Sequence, residues 1–239
     1  MSEGYRYDRV LLKLSGEALA GDVGYGIDPK VVDDLADQIA EIVRAGVQMA
    51  VVVGGGNIFR GLAGSAEGMD RAQADYIGML ATVMNALAVK DALRQQGVPA
   101  VVMTSSFMPQ VAEVFTSDKA IAALESGTIV VFGGGTGNPI FSTDTASALR
   151  ALEIGAEAMF KATMVDGVYD KDPHKYPDAV RYDTLTFTRV LDERLAVMDS
   201  TAATLCRDNG LPILVFDLGE PANIAKALQG EMVGTLVKE

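Results

Sequence analysis

A lysine inside an apolar strand, an arginine just beyond three glycines and a glycine turn opening into a helix are residue types that could hold and move phosphate. Lys13 lies in Arg9-Val-Leu-Leu-Lys-Leu14, ahead of Ser15-Gly16. An ammonium buried in such a run is costly unless it reaches an anion or water, with snorkelling past a sheet edge as the plainer alternative. Arg60 closes Gly54-Gly-Gly-Asn-Ile-Phe-Arg60, and a guanidinium can grip phosphate oxygens in pairs. The third stretch, Gly133 to Asp144 (GGGTGNPIFSTD), follows the apolar run Thr128 to Phe132 and leads into a helical pattern from Thr145 to Gly155. Successive amides in a glycine turn, followed by a helix N-terminus at Thr143 and Asp144, make a receptor for an anion.

Other chemistries fit this inventory less well. There is no Gly-Lys dipeptide for a Walker A loop, and no loop completes G-x-G-x-x-G. The single histidine, His174, reads as a solvated loop residue beside Pro173, and the single cysteine, Cys206, as a packed thiol in a helix. Nucleophilic triads and His-rich metal sites are therefore poorly supplied. Phosphoryl transfer asks mainly for amides, cations and carboxylates in place.

The elements that must position these residues follow from the pattern of apolar runs. Strands are expected at 9–14, 48–53, 100–103, 128–132, 158–163, 212–216 and 234–237. Asp28-Pro29 caps a helix to Arg44 with Val32, Leu35, Ile39, Ile42 and Val43 on one face, and Gly21 to Gly26 reads as a flexible loop. A long helix runs from about Met69 to Gln96, Ser117-Asp118 caps another, Asp199-Ser-Thr starts a further one, and Asn223 to Leu228 is short. Runs of strand and helix in alternation predict an α/β fold, a three-layer α/β/α sandwich around a mostly parallel sheet. Ligands of such sheets bind beyond the carboxyl ends of the strands, where all three glycine loops fall.

Composition sets the outer limits. The chain has 239 residues, of which 49% are hydrophobic, enough for one large core; a single domain is expected over residues 7–239, with 1–6 as a short tail. A formal charge of −12 and no basic stripe argue against nucleic acid, while a few converging cations can still take a small anion. Uninterrupted apolar runs stay well short of the roughly 18 to 20 residues of a membrane span, so no membrane association and a cytoplasmic location are expected.

With these residues in view, the chain resembles the bacterial uridylate kinases of the amino acid kinase superfamily. The resemblance is carried by Lys13-Leu-Ser-Gly16-Glu-Ala, Gly54 to Gly61, Gly78-Met-Leu-Ala-Thr-Val-Met-Asn85, Thr136 to Asp144, Lys161-Ala-Thr163 with Val165-Asp-Gly-Val168, and Val197-Met-Asp199. It spans about Arg9 to Lys238. The Thr-Gly-Asn-Pro stretch is specific to uridylate kinases, whereas Lys-x-x-Gly and the triple glycine belong to the wider superfamily.

The resemblance implies transfer of the ATP γ-phosphate to UMP, with Mg²⁺ held mainly by the ATP phosphates and no metal site made by protein alone. By motif position, Lys13, Leu14, Ser15, Gly16, Gly56 and Arg60 would hold ATP phosphates, and Thr163, Tyr169 and Asp172 would border ribose and adenine. Gly55, Asp75 and the loop Thr136, Gly137, Asn138, Pro139, Ile140, Phe141, Ser142 and Thr143 would hold UMP. Lys13, Arg60, Lys161, Asp144 and Asp199 would form the catalytic group, although both aspartates also fall where a helix N-cap would. Met164 stands where many relatives carry a basic residue, and Ser142 replaces a commoner threonine. A homohexamer activated by GTP and inhibited by UTP is implied as well. Two other readings are open: a superfamily kinase for an amino acid, acetylglutamate or carbamate, and a nucleotide-binding regulator without turnover.

Overall fold

The computed structural model describes residues 4–66, 68–173, 175–220 and 222–239. His174 lies outside the described residues.

The strands are β1 (Arg9–Leu14), β2 (Gln48–Val53), β3 (Ala100–Thr104), β4 (Glu113–Val114), β5 (Ile129–Gly133), β6 (Ala158–Thr163), β7 (Val168–Tyr169), β8 (Arg181–Tyr182), β9 (Thr184–Leu185), β10 (Ile213–Asp217) and β11 (Gly234–Val237). The α-helices are α1 (Pro29–Arg44), α2 (Gly61–Ala66), α3 (Arg71–Gln95), α4 (Ser117–Glu125), α5 (Thr143–Glu153), α6 (Phe187–Asp192), α7 (Ser200–Asp208) and α8 (Asn223–Gln229). Nine strands form one sheet in the order β4-β3-β5-β2-β1-β6-β10-β11-β9, and β7 pairs with β8 apart from it. Every pairing in the large sheet is parallel except β10 with β11.

Parallel strands covered on both faces are apolar along their whole length, and side chains alternate between the two covers. Val10, Leu12 and Leu14 pack with Leu35, Ile39, Val89 and Leu228, under α1, α3 and α8. Leu11 joins Leu124, Ala148, Ala203 and Cys206 under α4, α5 and α7 on the opposite face. The three expected layers follow from these two cores. Lys13 falls on the α5 and α7 side by the same alternation. Cys206 is buried, as its apolar setting implied.

Helix starts show where local chemistry decides. Asp28 caps α1 by accepting from Lys30 N at 2.9 Å, with Pro29 in the first turn. The caps of α4 and α5 lie one residue before the expected starts: Thr116 caps α4 in place of Ser117, and Ser142 caps α5, accepting from Thr145 N at 3.1 Å. A hydroxyl in extended backbone can turn back onto the third amide beyond it, so Asp144 is released from capping and its carboxylate points elsewhere. The Gly21 to Gly26 stretch contains a 3-10 turn, Gly21–Val23, and Gly26 N donates to the Asn57 carbonyl at 2.9 Å. Near the N-terminus, Arg6 N donates to the Leu228 carbonyl at 2.7 Å.

The 25-residue α3 has the length and mean hydropathy, 1.2 over its best window, of a membrane span, which the reading of uninterrupted runs had excluded. Its small Ala and Gly residues and its interspersed polar ones explain both results. The helix lies against β2, β3 and β5, and Asp75, Thr82 and Asn85 on it bond to loops at the sheet edge.

Candidate active site

At the carboxyl ends of β1 and β6, Lys13 and Lys161 stand opposite each other in the strand register. Both ammoniums reach Asp144 in the first turn of α5, Lys13 Nζ at 3.0 Å from Oδ1 and Lys161 Nζ at 2.6 Å from Oδ2. Lys161 Nζ also donates to the Val197 carbonyl. Burial by itself would push the Asp144 carboxyl upward, but the charges of Lys13 and Lys161 outweigh it and hold the group below the usual carboxylate range. Burial pushes Lys161 below an ordinary lysine, and the Lys13 ammonium beside it acts in the same direction against the pull of Asp144. Two buried ammoniums and one largely buried carboxylate thus sum to one positive charge at the strand ends. Such a charge suits an anion.

Asp199 caps α7, accepting from Ala202 N at 3.0 Å. It also accepts from Thr145 Oγ1 at 2.9 Å and from Ser142 Oγ, and so ties α7 to the start of α5. Its capping role and its place beside the lysines coexist. Ser15 Oγ, at the end of β1, is buried without a hydrogen-bond partner, an atom that a ligand oxygen would satisfy.

The glycine loops meet over this centre. A Cβ on Gly16 would stand 2.5 Å from Asn57 Oδ1 and 2.7 Å from the Gly54 carbonyl, so the turn after β1 lies directly on the turn after β2. Gly134, Gly135 and Gly137 have φ of 80°, 58° and 85°, the left-handed region that glycine enters without strain. Ile140 also sits there, at φ 78°, an outlier for a β-branched residue. Asp75 Oδ2 accepts from Ile140 N at 2.7 Å and from Arg71 Nε at 2.9 Å, which holds that loop against α3.

A cleft of about 200 Å³ opens between the loops, bordered by Gly55, Arg60, Asp75, Asn138, Phe141 and Thr143. Gly56 and Ser142 share it, whereas Thr136, Gly137, Pro139 and Ile140 form the outer turn of the loop and do not line it. Thr136 Oγ1 accepts from Asn138 N at 3.1 Å and stiffens that turn. The Leu14 side chain is fully buried in the core, which leaves its backbone alone for a ligand. Tyr169 and Asp172 lie apart, in a cavity of about 410 Å³ also lined by Val165 and Leu195. Tyr169 Oη donates to Asp166 Oδ1 at 2.6 Å, Thr163 closes β6, and Met164 is exposed.

Some residues here carried no signal that singled them out in the sequence. Glu17 pairs with Arg60 at 2.7 Å, and its carboxylate lies where a side chain on Gly56 would go. Asn57, Thr82 and Asn85 are buried and bonded to the loops. Asn57 and Asn85 stand within quoted motifs, and buried amides so close to glycine turns were the available clue. Among the described residues no cluster of three His, Cys, Asp or Glu side chains could hold a metal.

The family model for the amino acid kinase family matches residues 8–217. A UMP kinase from Bacillus anthracis is 40% identical over 97% of this chain and 96% of its own, with a TM-score of 0.93. A UMP kinase from Ureaplasma parvum is 35% identical over 98% of this chain and 100% of its own, with a TM-score of 0.92. A uridylate kinase from Archaeoglobus fulgidus is 30% identical over 95% of this chain and 99% of its own, with a TM-score of 0.71.

Proposed function

The chain belongs to the amino acid kinase family, and from that premise we infer that it transfers the γ-phosphoryl group of ATP to UMP, yielding ADP and UDP. The observation that carries the reading is the pair Lys13 and Lys161 on Asp144, set where the glycine loops converge. A phosphate oxygen of UMP attacks the γ-phosphorus, the bond from that phosphorus to the β-bridging oxygen breaks, and ADP leaves with the electron pair. Charge shifts from the γ-oxygens towards the bridging oxygen. The two ammoniums are fixed before the reaction, so they can stabilise that charge without reorganising. Asp144 keeps them side by side.

Gly16, Gly56, Ser15 and Arg60 are assigned to the ATP phosphates, and Arg60 would exchange Glu17 for phosphate on binding. The cleft beside Asp75 and Asn138 is assigned to UMP, with Asn138 and Phe141 to Thr143 on its wall, Thr136, Gly137, Pro139 and Ile140 as the outer turn that carries them, and Asp75 accepting from ribose hydroxyls. The cavity at Tyr169 and Asp172, with Thr163 at its approach, is assigned to adenosine. Held mainly by the ATP phosphates, Mg²⁺ would supply neutralisation of their charge.

The same reading places the enzyme in the cytoplasm, as one domain from residue 7 onward, assembled as a homohexamer with GTP as activator and UTP as inhibitor. Tyr76, Leu80 and Met84 support assembly, since they repeat every fourth residue on α3 and are 46%, 53% and 53% exposed. Light scattering tests it, and a monomer at micromolar concentration removes the interface.

The deciding experiment is ATP-dependent turnover with UMP, CMP and dUMP. UMP should be preferred over CMP by up to about 10⁴, because a site bonded to one base edge leaves polar groups unpaired against another. Comparable kcat/KM for CMP overturns the base assignment, and turnover of an amino acid, acetylglutamate or carbamate in place of UMP overturns the function.

A further inference from the structure

α3 grips both glycine loops with side chains one turn apart. Asn85 has no exposed surface and donates from Nδ2 to the Gly54 carbonyl at 2.7 Å and to Asn57 Oδ1 at 2.7 Å. Asn57 returns a bond from its own Nδ2 to Asn85 Oδ1 at 3.1 Å and donates to the Gly26 carbonyl at 2.6 Å. Thr82 Oγ1 donates to the Met79 carbonyl at 2.6 Å and accepts from Gly134 N at 2.7 Å. On its other side the Gly134 carbonyl accepts from Ser105 Oγ at 2.9 Å, so the glycine is held from both directions.

The loops also lie flat on the helix. A Cβ on Gly55 would stand 2.8 Å from the Gly78 carbonyl and 3.0 Å from Ala81 Cβ. A helix rises about 1.5 Å per residue, so Thr82 and Asn85 fix the two loops at points about 4.5 Å apart along a stiff rod. The loop after β2 borders the acceptor cleft at Gly55 and carries Gly56 and Arg60, assigned to the donor phosphates; the loop after β5 supplies the rest of the acceptor wall.

We propose that Asn85 and Thr82 are positioning residues for the transfer, setting the separation of the donor and acceptor loops, an inference that rests on the function assigned above. In-line attack needs the two phosphates in a near-attack arrangement, and a misplacement of about 1 Å costs about 10² in rate. Reaction needs both loops at the right spacing, and that spacing is what these bonds supply. A purely structural amide pair would stabilise the fold and leave the rate of the folded enzyme untouched.

The test uses the full chain with Asn85→Leu, which removes the donors at similar volume, Thr82→Val, which removes the acceptor at similar shape, and Thr82→Ser, which restores it. Three readouts are taken: Kd for UMP and for ATP separately, Tm, and the single-turnover rate with both nucleotides bound. The single-turnover rate is expected to fall about 10² in Asn85→Leu and Thr82→Val, with each Kd near wild type and Thr82→Ser close to wild type in all readouts. A folded Thr82→Val enzyme with the wild-type rate overturns the proposal, as does a Kd for UMP that weakens in step with the rate, since Thr82 borders the cleft. If Asn85→Leu does not fold, the Thr82 pair decides. Wild-type enzyme measured alongside separates the two levels. No UMP turnover there overturns the function itself, whereas normal turnover with unaffected variants overturns the positioning alone.

Discussion

Lys13 and Lys161 are register partners on adjacent parallel strands, and the same carboxylate, that of Asp144, stands between their ammoniums. Without it, two like charges would be buried side by side.

Asp144→Asn therefore leaves two uncompensated ammoniums. Breaking a buried pair in this way costs about 3 to 5 kcal/mol, a loss that urea unfolding would read, and turnover should fall with it. Lys13→Ala behaves differently, because Lys161 and Asp144 remain paired. It should unfold closer to wild type and lose about 10² in kcat, as removed electrostatic stabilisers do. Wild-type turnover at saturating ATP and UMP would return Lys13 to the status of a buried structural charge.

The titration of this cluster has a definite sign. The folded Asp144 carboxyl lies below its unfolded value, so its contribution to stability is present above about pH 4 and is lost as pH falls through the folded value. For Lys161 the folded value is also lowered, so in the window between the folded and unfolded values stability rises with pH while the cation, and with it the rate, is lost. The alkaline limb of kcat should accordingly begin below the ordinary lysine range. In Lys13→Ala the like charge is gone and that limb should move to higher pH. An unmoved limb would assign it to another group.

Asp75 does two things at once, holding Ile140 in its strained conformation and facing the cleft. Asp75→Asn should raise KM for UMP about tenfold or more, the loss of a charge-assisted bond worth about 1.5 to 3 kcal/mol, with little change for ATP. Discrimination against dUMP should shrink in parallel. An unchanged KM for UMP in a folded variant would confine Asp75 to anchoring the loop.

Burial pushes the Cys206 thiol up to about 12, with the Asp144 and Asp199 carboxylates adding to the effect. Reactivity follows the thiolate, so a disulfide reagent at pH 8 should label the folded enzyme only at the rate of unfolding. Saturating UMP and ATP should slow it further. Rapid labelling of native enzyme would contradict the packing of α7.

Most of the architecture was legible because β1, β2, β5 and β6 are mostly apolar runs, interrupted inside β1 and β6 only by Lys13 and Lys161, and because glycines follow their ends. Lys13 stood out as a charge placed where a charge is expensive, and Arg60 by its place just beyond a triple glycine. The two-residue strands β4, β7, β8 and β9 were too short for a periodicity to register, and the caps at Thr116 and Ser142 were one residue off because neighbouring hydroxyls compete for the same amides. Partnership across the sheet was beyond reach. Nothing local in Lys-Leu-Ser-Gly says that Lys13 will face Lys161, that Glu17 will pair with Arg60, or that Asn85 will reach the Gly54 carbonyl.

The β1–β6 pairing also bears on how the molecule comes to exist. Residue 13 leaves the ribosome long before residue 161, and the two strands cannot pair until β2, β3 and β5 have been made. Non-local parallel pairing closes a long loop before it is rewarded, and such topologies fold slowly. Until β6 arrives, β1 has a bare apolar edge carrying a lysine, a residue that discourages edge-to-edge association. Lys13 would then shield the nascent chain from aggregation before its ammonium meets Asp144, and the Lys13–Asp144–Lys161 cluster would close only once β6 is in place.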